Sequence, residues 1–143
     1  MEINCISKKV YIPCSDNVCI PKIKLKVNNN IVIVEVVDKL GTGLEGLKNY
    51  KYLPENFGML FVYDIPVRAE FWNKDTSLAL DIAFLDCSGI IMEINVLEPY
   101  DETIIESTSN KVRYAIELNK GWFKKNNVVV GMKFCQSISI LDK

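Results

Sequence analysis

Strict alternation of apolar and charged residues at positions 22–27 is the feature that most constrains the fold of this chain. The segment KIKLKV places isoleucine, leucine and valine on one face and three lysines on the other, which is the period of a half-buried β-strand. Three asparagines follow, and then the β-branched run IVIVEVV at 31–37. We therefore predict a β-hairpin over 22–37, with the lysine row on an exposed edge strand that resists aggregation.

The rest of the chain repeats this pattern with short connections. Five further segments are predicted as strands: Gly58 to Tyr63, Leu78 to Asp86, Ile90 to Leu97, Val112 to Leu118 and Phe134 to Leu141. A tight turn is predicted at 86–89, a short helix at 120–127, and at most a helical turn at 40–47. About seven strands without regularly alternating helices predict a mainly β fold, either a single-domain antiparallel β-sandwich or a partly open, jelly-roll-like barrel.

Composition and charge indicate one globular domain. With 143 residues, 49% hydrophobic residues and a net charge of -1, the chain can bury a core without disulfides. We assign residues 1–21 to an N-terminal arm and 22–143 to a β-rich domain, with assembly through the arm as a lesser alternative. Near-zero net charge argues against nucleic acid and membrane as partners, and no apolar run has the length of a signal peptide or membrane span. We expect a cytoplasmic protein that is a monomer or a weak homo-oligomer.

The residue types that are missing exclude several chemistries. The chain has no histidine, so Ser-His-Asp and Cys-His nucleophilic sites and histidine-bearing zinc sites are excluded. The cysteines number five and cannot all pair, and Cys14 and Cys19 lack two further ligands for tetrahedral zinc. We expect reduced thiols, no metal and no cofactor. A disulfide between Cys14 and Cys19 in an oxidising extract is an alternative.

The segment FWNKDT at 71–76 sets aromatic and charged residues between two apolar strands, as a structural corner or a binding site does. If the segment is extended, its tryptophan, lysine and threonine share one face. An aspartate on the next strand lies between two alanines that leave space above it, and a glutamate in the segment 112–118 is a second carboxylate that could converge there. We name as candidate ligand-binding residues Trp72, Lys74, Thr76, Asp81 and Glu117. Together they predict a polar and aromatic groove for a small polar ligand, such as a sugar or another metabolite.

Other interpretations of these residues stay open. Asp81 can instead accept hydrogen bonds from Lys74, Thr76 or loop amides and pin the corner, with Trp72 as a core anchor, and we favour this pinning role over ligand chemistry. A non-enzymatic binding module, for a small polar ligand or a partner, is favoured over an enzyme because no nucleophile–base pair is visible. The alternative is a small metal-independent enzyme that uses Asp81 and Glu117 as acid and base on a carbohydrate-like or acyl substrate. A Trp-Phe pair at 122–123 is predicted to be core.

The order of five motifs carries a resemblance to a known family. The motifs are GLEGLKNYKYLPENFGMLFVY at 43–63, FWNKDT at 71–76, LALDIAFLD at 78–86, SGII at 88–91 and IELNKGWFKKNNVVVGMKF at 116–134. This order resembles the family catalogued as domain of unknown function 192, over residues 31–137. The resemblance implies a compact, mainly β fold of sandwich or jelly-roll type and supplies no activity. Asn73 and Asp75 stand where the family has methionine and asparagine, so the resemblance leaves the ligand specificity of this corner open.

Overall fold

The computed structural model describes residues 22–38 and 47–137. In this part of the chain the elements are β1 (Lys22–Val27), β2 (Asn30–Asp38), β3 (Phe57–Val67), β4 (Glu70–Phe71), β5 (Leu80–Leu85), β6 (Ile91–Leu97), β7 (Ile105–Glu106), β8 (Val112–Asn119), α1 (Trp122–Lys125) and β9 (Cys135–Gln136). The predicted arm at 1–21, the glycine-rich turn before Leu47 and the end of the last predicted strand lie outside the described residues. None of the described helical residues forms a helix long and apolar enough to cross a membrane.

Seven strands form one mixed sheet in the order β6-β5-β8-β3-β2-β1-β9, and this sheet curls into a half-barrel. The mainly β prediction is therefore confirmed. The β2–β3 pair runs parallel, whereas the other strand pairs of the sheet run antiparallel. A parallel pair needs a crossover connection, which the segment between Asp38 and Phe57 provides. The alternation of the strands did not indicate this parallel pair.

The β1–β2 hairpin forms as predicted, with Val27 opposite Asn30. Its turn needs a left-handed residue, and Asn28 provides it with a φ of 58°. The prediction that the lysine row occupies a free edge is only partly met, because β9 pairs with β1 at Leu25 and Lys26. The chain returns to this edge after α1 and covers that part of the strand.

Residues 131–136 connect the two edges of the sheet. On the β6 side, the Ile91 amide donates to the carbonyl of Met132 at 2.8 Å, and the Phe134 amide donates to the carbonyl of Gly89 at 3.0 Å. The next two residues form β9 on the β1 side. The segment thus draws the two edges together, which fits the partly open barrel among the predicted alternatives.

Both faces of the sheet are buried, and β5 is buried at all of its positions. On one face, which we call the α1 core, Ala83 and Leu85 pack with residues from α1 and with Phe134. On the other face, which we call the ribbon core, Ile82 and Phe84 pack beneath the small β4–β7 ribbon and the turn that begins at residue 47. The prediction that Trp122 and Phe123 are core residues is confirmed, since each is 3% exposed.

Candidate functional site

The segment 71–76 turns instead of continuing as a strand. Phe71 ends β4 and is buried, Trp72 is exposed and Asn73 is buried, so the expected alternation holds for three residues. A turn follows in which Asp75 has a φ of 63°. Asparagine and aspartate tolerate this left-handed conformation better than other side chains. Asp75 therefore suits this turn and adds a charged side chain to it.

Asn73 is the side chain that fixes this corner. It is 2% exposed, and its Nδ2 donates to the carbonyls of Leu78 at 2.8 Å and Glu98 at 2.9 Å. Thr76, which was expected on the ligand-facing side, is also buried, and its hydroxyl donates to the carbonyl of Lys74 at 3.4 Å. Both side chains hold backbone in place and face away from solvent.

Trp72 and Lys74 do come together at the surface. Trp72 is 46% exposed, and the Lys74 Nζ lies 5.3 Å from the centroid of its ring. This is cation–π distance, and at an exposed site such a contact contributes about 0.5–1 kcal/mol. The expectation that Trp72 anchors the core is wrong, because the neighbouring Phe71 takes that place.

Asp81 lies under the turn between β8 and α1. Its Oδ2 accepts the amide hydrogens of Gly121 at 3.0 Å and Phe123 at 3.4 Å. Burial raises the pKa of this carboxyl, while these two hydrogen bonds and the nearby Lys120 oppose the shift. The contacts are those of the favoured pinning role, with loop amides as the donors.

Asp81 and Glu117 lie on opposite faces of the sheet. Asp81 is directly opposite Leu118, a residue of the α1 core, whereas Glu117 is opposite Ile82, a residue of the ribbon core. Directly opposed residues share a face and the next residue along points to the other. The acid–base alternative requires the two carboxylates to converge on one substrate. Their positions on opposite faces of the sheet do not allow this.

A second buried carboxylate on the ribbon-core face was missed by the sequence analysis. Glu35 is 7% exposed, and the Tyr50 hydroxyl donates to its Oε1 at 2.7 Å. Burial and this bond raise the pKa of Tyr50 to about 12. Glu35 and Glu117 both lie opposite Met59, one on each side of it. A lone glutamate inside the run IVIVEVV was the signal that could have identified this buried acid.

A shallow cleft opens where β8 leaves the sheet. It lies between the loop 51–55 and the turn 119–125, and its volume is about 410 Å³. Tyr52, Leu78 and Trp122 give it apolar surface. We call this space the turn cleft. Asp81 lies below it and holds the amide of Gly121, one of the lining residues, so that amide is not available to a ligand.

Lysines give the turn cleft its charge. Lys51, Lys120 and Lys125 line it together with a single carboxylate, that of Glu55. Lys125 pairs with Glu55 at 2.7 Å, and Lys120 pairs with Glu98 at 3.0 Å, with all four side chains about half exposed or more. In the described part of the chain Lys51 forms no ion pair. The cleft therefore has an excess of positive charge.

Residues 22–38 and 47–137 contain no group of three or more histidine, cysteine, aspartate or glutamate side chains that could hold a metal ion. Cys87 is an exposed free thiol, and Cys135 is half-buried. Cys14 and Cys19 lie outside the described residues.

The described residues form a small, mainly β domain built on one curled seven-stranded sheet. The chain matches the family DUF192, described as "Uncharacterized ACR", over residues 23–135, and it belongs to that family. No curated protein matches it.

Two solved structures share this fold. One, described as a "putative transcription regulator" from Sinorhizobium meliloti 1021, is 27% identical with a TM-score of 0.79, and the match covers 85% of this chain and 98% of that chain. The other, a protein of unknown function from Novosphingobium aromaticivorans, is 23% identical with a TM-score of 0.72, and the match covers 92% of this chain and 94% of that chain.

Proposed function

We propose that this protein is a non-enzymatic binding module and that the turn cleft takes a small polar metabolite with an anionic group, such as a carboxylate or a phosphate. The observation that carries the proposal is the set of three lysines around a cleft of about 410 Å³. This volume falls in the usual range for small-molecule sites, about 300–1,000 Å³.

The charges of the cleft favour an anion over a neutral ligand. Lys51 has no ion pair to break within the described residues, and its ammonium can reach a ligand directly. The Lys125–Glu55 and Lys120–Glu98 pairs are exposed to solvent. Exposed ion pairs contribute about 0–1 kcal/mol to the stability of the fold. The protein therefore loses little stability when an anion displaces one of the glutamates.

The apolar surface of the cleft favours a ligand with a planar or apolar part. Tyr52 is 73% exposed, and Leu78, which also lines the cleft, is half-buried. A phenol ring that is mostly in water gains contact area when a sugar or heterocyclic ring packs against it. Lysines for the anion and Tyr52 for the ring give the ligand two separate points of contact.

The enzyme alternative is not part of the proposal, because Asp81 and Glu117 face opposite sides of the sheet. Nucleic acid is not proposed as a ligand either. A net charge of -1 gives no overall positive field, and the lysines are confined to a small cleft.

Differential scanning fluorimetry with glucose 6-phosphate, AMP, citrate, glutamate and uncharged glucose tests the proposal. A compound present at about 100 times its Kd stabilises the folded state by about 2.7 kcal/mol. We expect at least one anionic compound to raise Tm, and glucose to have no effect. The shift should decrease in Lys51→Gln and Lys125→Gln and persist in Lys111→Gln, a matched change at an exposed lysine outside the cleft.

Two outcomes contradict the proposal. One is that none of the anionic compounds changes Tm. The other is that the cleft variants respond as strongly as Lys111→Gln. Trp72→Ala tests the location of the site. If the increase in Tm is lost only in this variant, the ligand binds at the exposed tryptophan and not in the turn cleft.

A further inference from the structure

The ribbon formed by β4 and β7 presents two glutamates side by side. Glu70 lies directly opposite Glu106, and both side chains are exposed. Their neighbour Phe71 points inward and is 8% exposed, so the alternation of the strand directs Glu70 outward. Like charges directly opposite each other in an antiparallel pair are unfavourable. We call the outward side of β4, β7 and their adjoining residues the ribbon face.

No cation in residues 22–38 and 47–137 neutralises this pair through an ion pair. The nearest arginine in the sequence, Arg68, uses its Nη1 to donate to the carbonyls of Ser107 at 3.1 Å and Thr108 at 2.5 Å. Its hydrogen bonds hold the ribbon's backbone. The ribbon face therefore keeps a pair of negative charges that a cation from outside can bridge.

Exposed apolar side chains lie beside the glutamates. Trp72 follows β4 and is 46% exposed, and Ile104 precedes β7 and is 55% exposed. The register of the ribbon, continued by one residue on each strand, sets these two positions opposite each other. The Lys74 Nζ lies 5.3 Å from the centroid of the Trp72 ring, at cation–π distance.

Ring packing and hydrogen bonds support the ribbon face from beneath. The ring of Phe71 contacts Phe61 edge-on, with centroids 5.0 Å apart. Ala69 and Ser107 exchange two hydrogen bonds of 2.8 Å, one to the serine hydroxyl and one between backbone groups. A surface that is already ordered loses little conformational entropy when a partner binds.

We propose that the ribbon face docks an extended segment of a partner protein in which a lysine or arginine and an apolar residue are two positions apart. The cation bridges Glu70 and Glu106, and the apolar side chain packs on Trp72 and Ile104. Alternate residues of an extended segment lie about 6.6 Å apart on one side, which matches successive positions along the ribbon. A face this small predicts a weak and transient complex.

Fluorescence anisotropy with a labelled peptide tests this proposal. The probe is a peptide of about ten residues in which threonine alternates with lysine and valine, so that lysine and valine lie two positions apart on one side. We expect saturable binding with Kd below about 1 mM at low salt, weakening as salt increases. A peptide with glutamate in place of lysine should not bind. Trp72→Ala should weaken binding by about tenfold or more, as the loss of a central tryptophan usually does.

The substitution Glu70→Lys separates docking from folding. It replaces the like-charge pair with a Lys–Glu pair across the ribbon, so Tm should be unchanged or slightly higher while peptide binding is lost. Glu55→Gln removes one negative charge at the turn cleft and should leave peptide binding unchanged. The proposal is overturned if the lysine–valine peptide does not bind by about 1 mM, if the glutamate peptide binds equally well, or if Glu70→Lys folds normally and retains binding. Self-association that is lost with Trp72→Ala would also overturn it, since a second copy would then occupy the face.

Discussion

The two tryptophans of this protein have similar neighbours in the sequence and opposite environments in the structure. Each stands next to a phenylalanine, with a lysine two positions further on. Trp122 is 3% exposed and its Nε1 donates to the Asn56 Oδ1 at 2.8 Å, whereas Trp72 is 46% exposed. Gly121, with a φ of 90°, turns the chain so that the indole of Trp122 lies against the α1 core. At the other corner, strand alternation buries Phe71 and leaves Trp72 outside.

Aromatic and charged composition therefore does not decide the role of a corner. The direction in which the backbone leaves the preceding strand decides which ring is buried.

Truncation of each tryptophan gives the largest contrast. Trp122→Ala should lower the free energy of unfolding by about 3–5 kcal/mol, because a buried indole is replaced by a cavity. Trp72→Ala should change it by no more than about 1 kcal/mol, because the exposed contact of the ring with Lys74 contributes about 0.5–1 kcal/mol. Chemical denaturation measures both, and equal losses for the two variants would contradict the comparison.

The side-chain amides of the two corners give the next contrast. Asn73 is 2% exposed and donates to several carbonyls, whereas Asn126 is half-buried and donates to the carbonyl of Trp122 at 2.8 Å. Asn73→Ala should destabilise the fold by about 1–3 kcal/mol, since buried acceptors lose their donor. Asn126→Ala should cost less than about 1 kcal/mol. The comparison fails here if Asn126→Ala proves the more damaging change in urea denaturation.

The aspartates of the two corners should respond to pH with opposite sign. Burial raises the pKa of Asp81 in the folded state, so its contribution to stability falls as pH rises from the ordinary range near 3.8 through the raised folded value. Hydrogen bonds from Thr103 lower the pKa of Asp101, next to the ribbon. The contribution of Asp101 is present above its unfolded pKa and is lost as pH falls through the folded value.

Paired substitutions measure these two contributions. Relative to wild type, Asp81→Asn should become more favourable for stability as pH rises from about 4 to 7. Asp101→Asn should become less favourable as pH rises from about 2 to 4. Urea denaturation at several pH values in these two ranges gives both slopes. Slopes of the same sign would show that the two carboxyl groups do not have opposite environments.

The smallest effect is expected at the exposed ion pair of the turn cleft. Lys125→Gln removes the pair with Glu55, and the free energy of unfolding should change by less than about 1 kcal/mol. Thermal unfolding at low and high salt measures it. A larger loss would indicate that the pair holds the loop 51–55 in place, and the cleft would then be a structural contact.

Much of the fold follows from local sequence. The β1–β2 hairpin, the turn at 86–89 and the short α1 helix were predicted because alternation, asparagine and glycine act within a few residues. Gly58 permits a close approach of two strands, since a Cβ there would overlap the carbonyl of Glu117. The parallel β2–β3 pair depends on a crossover, which no local pattern reports.

The candidate site was harder to predict for the same reason. Lys125 and Glu55 are 70 residues apart in the chain, and only the fold brings them together. Asp81 was correctly placed on a strand, but its partners are amides of a turn about 40 residues away. Trp72 and Thr76 were expected on one face of an extended segment, and the left-handed Asp75 breaks that face. Contacts between residues far apart in the chain, together with the left-handed turn at Asp75, therefore account for the differences between the predicted and the observed site.

We propose that the turn cleft and the ribbon face are two separate binding surfaces, each marked by one tryptophan. The chain has 2 tryptophans, so its ¹H–¹⁵N spectrum should contain two indole signals that report on these surfaces individually. We predict that the lysine–valine peptide shifts the Trp72 signal alone and that an anion which raises Tm shifts the Trp122 signal alone. Movement of both signals with either compound, or of the opposite signal, would show that the two surfaces are not separate binding sites of these kinds.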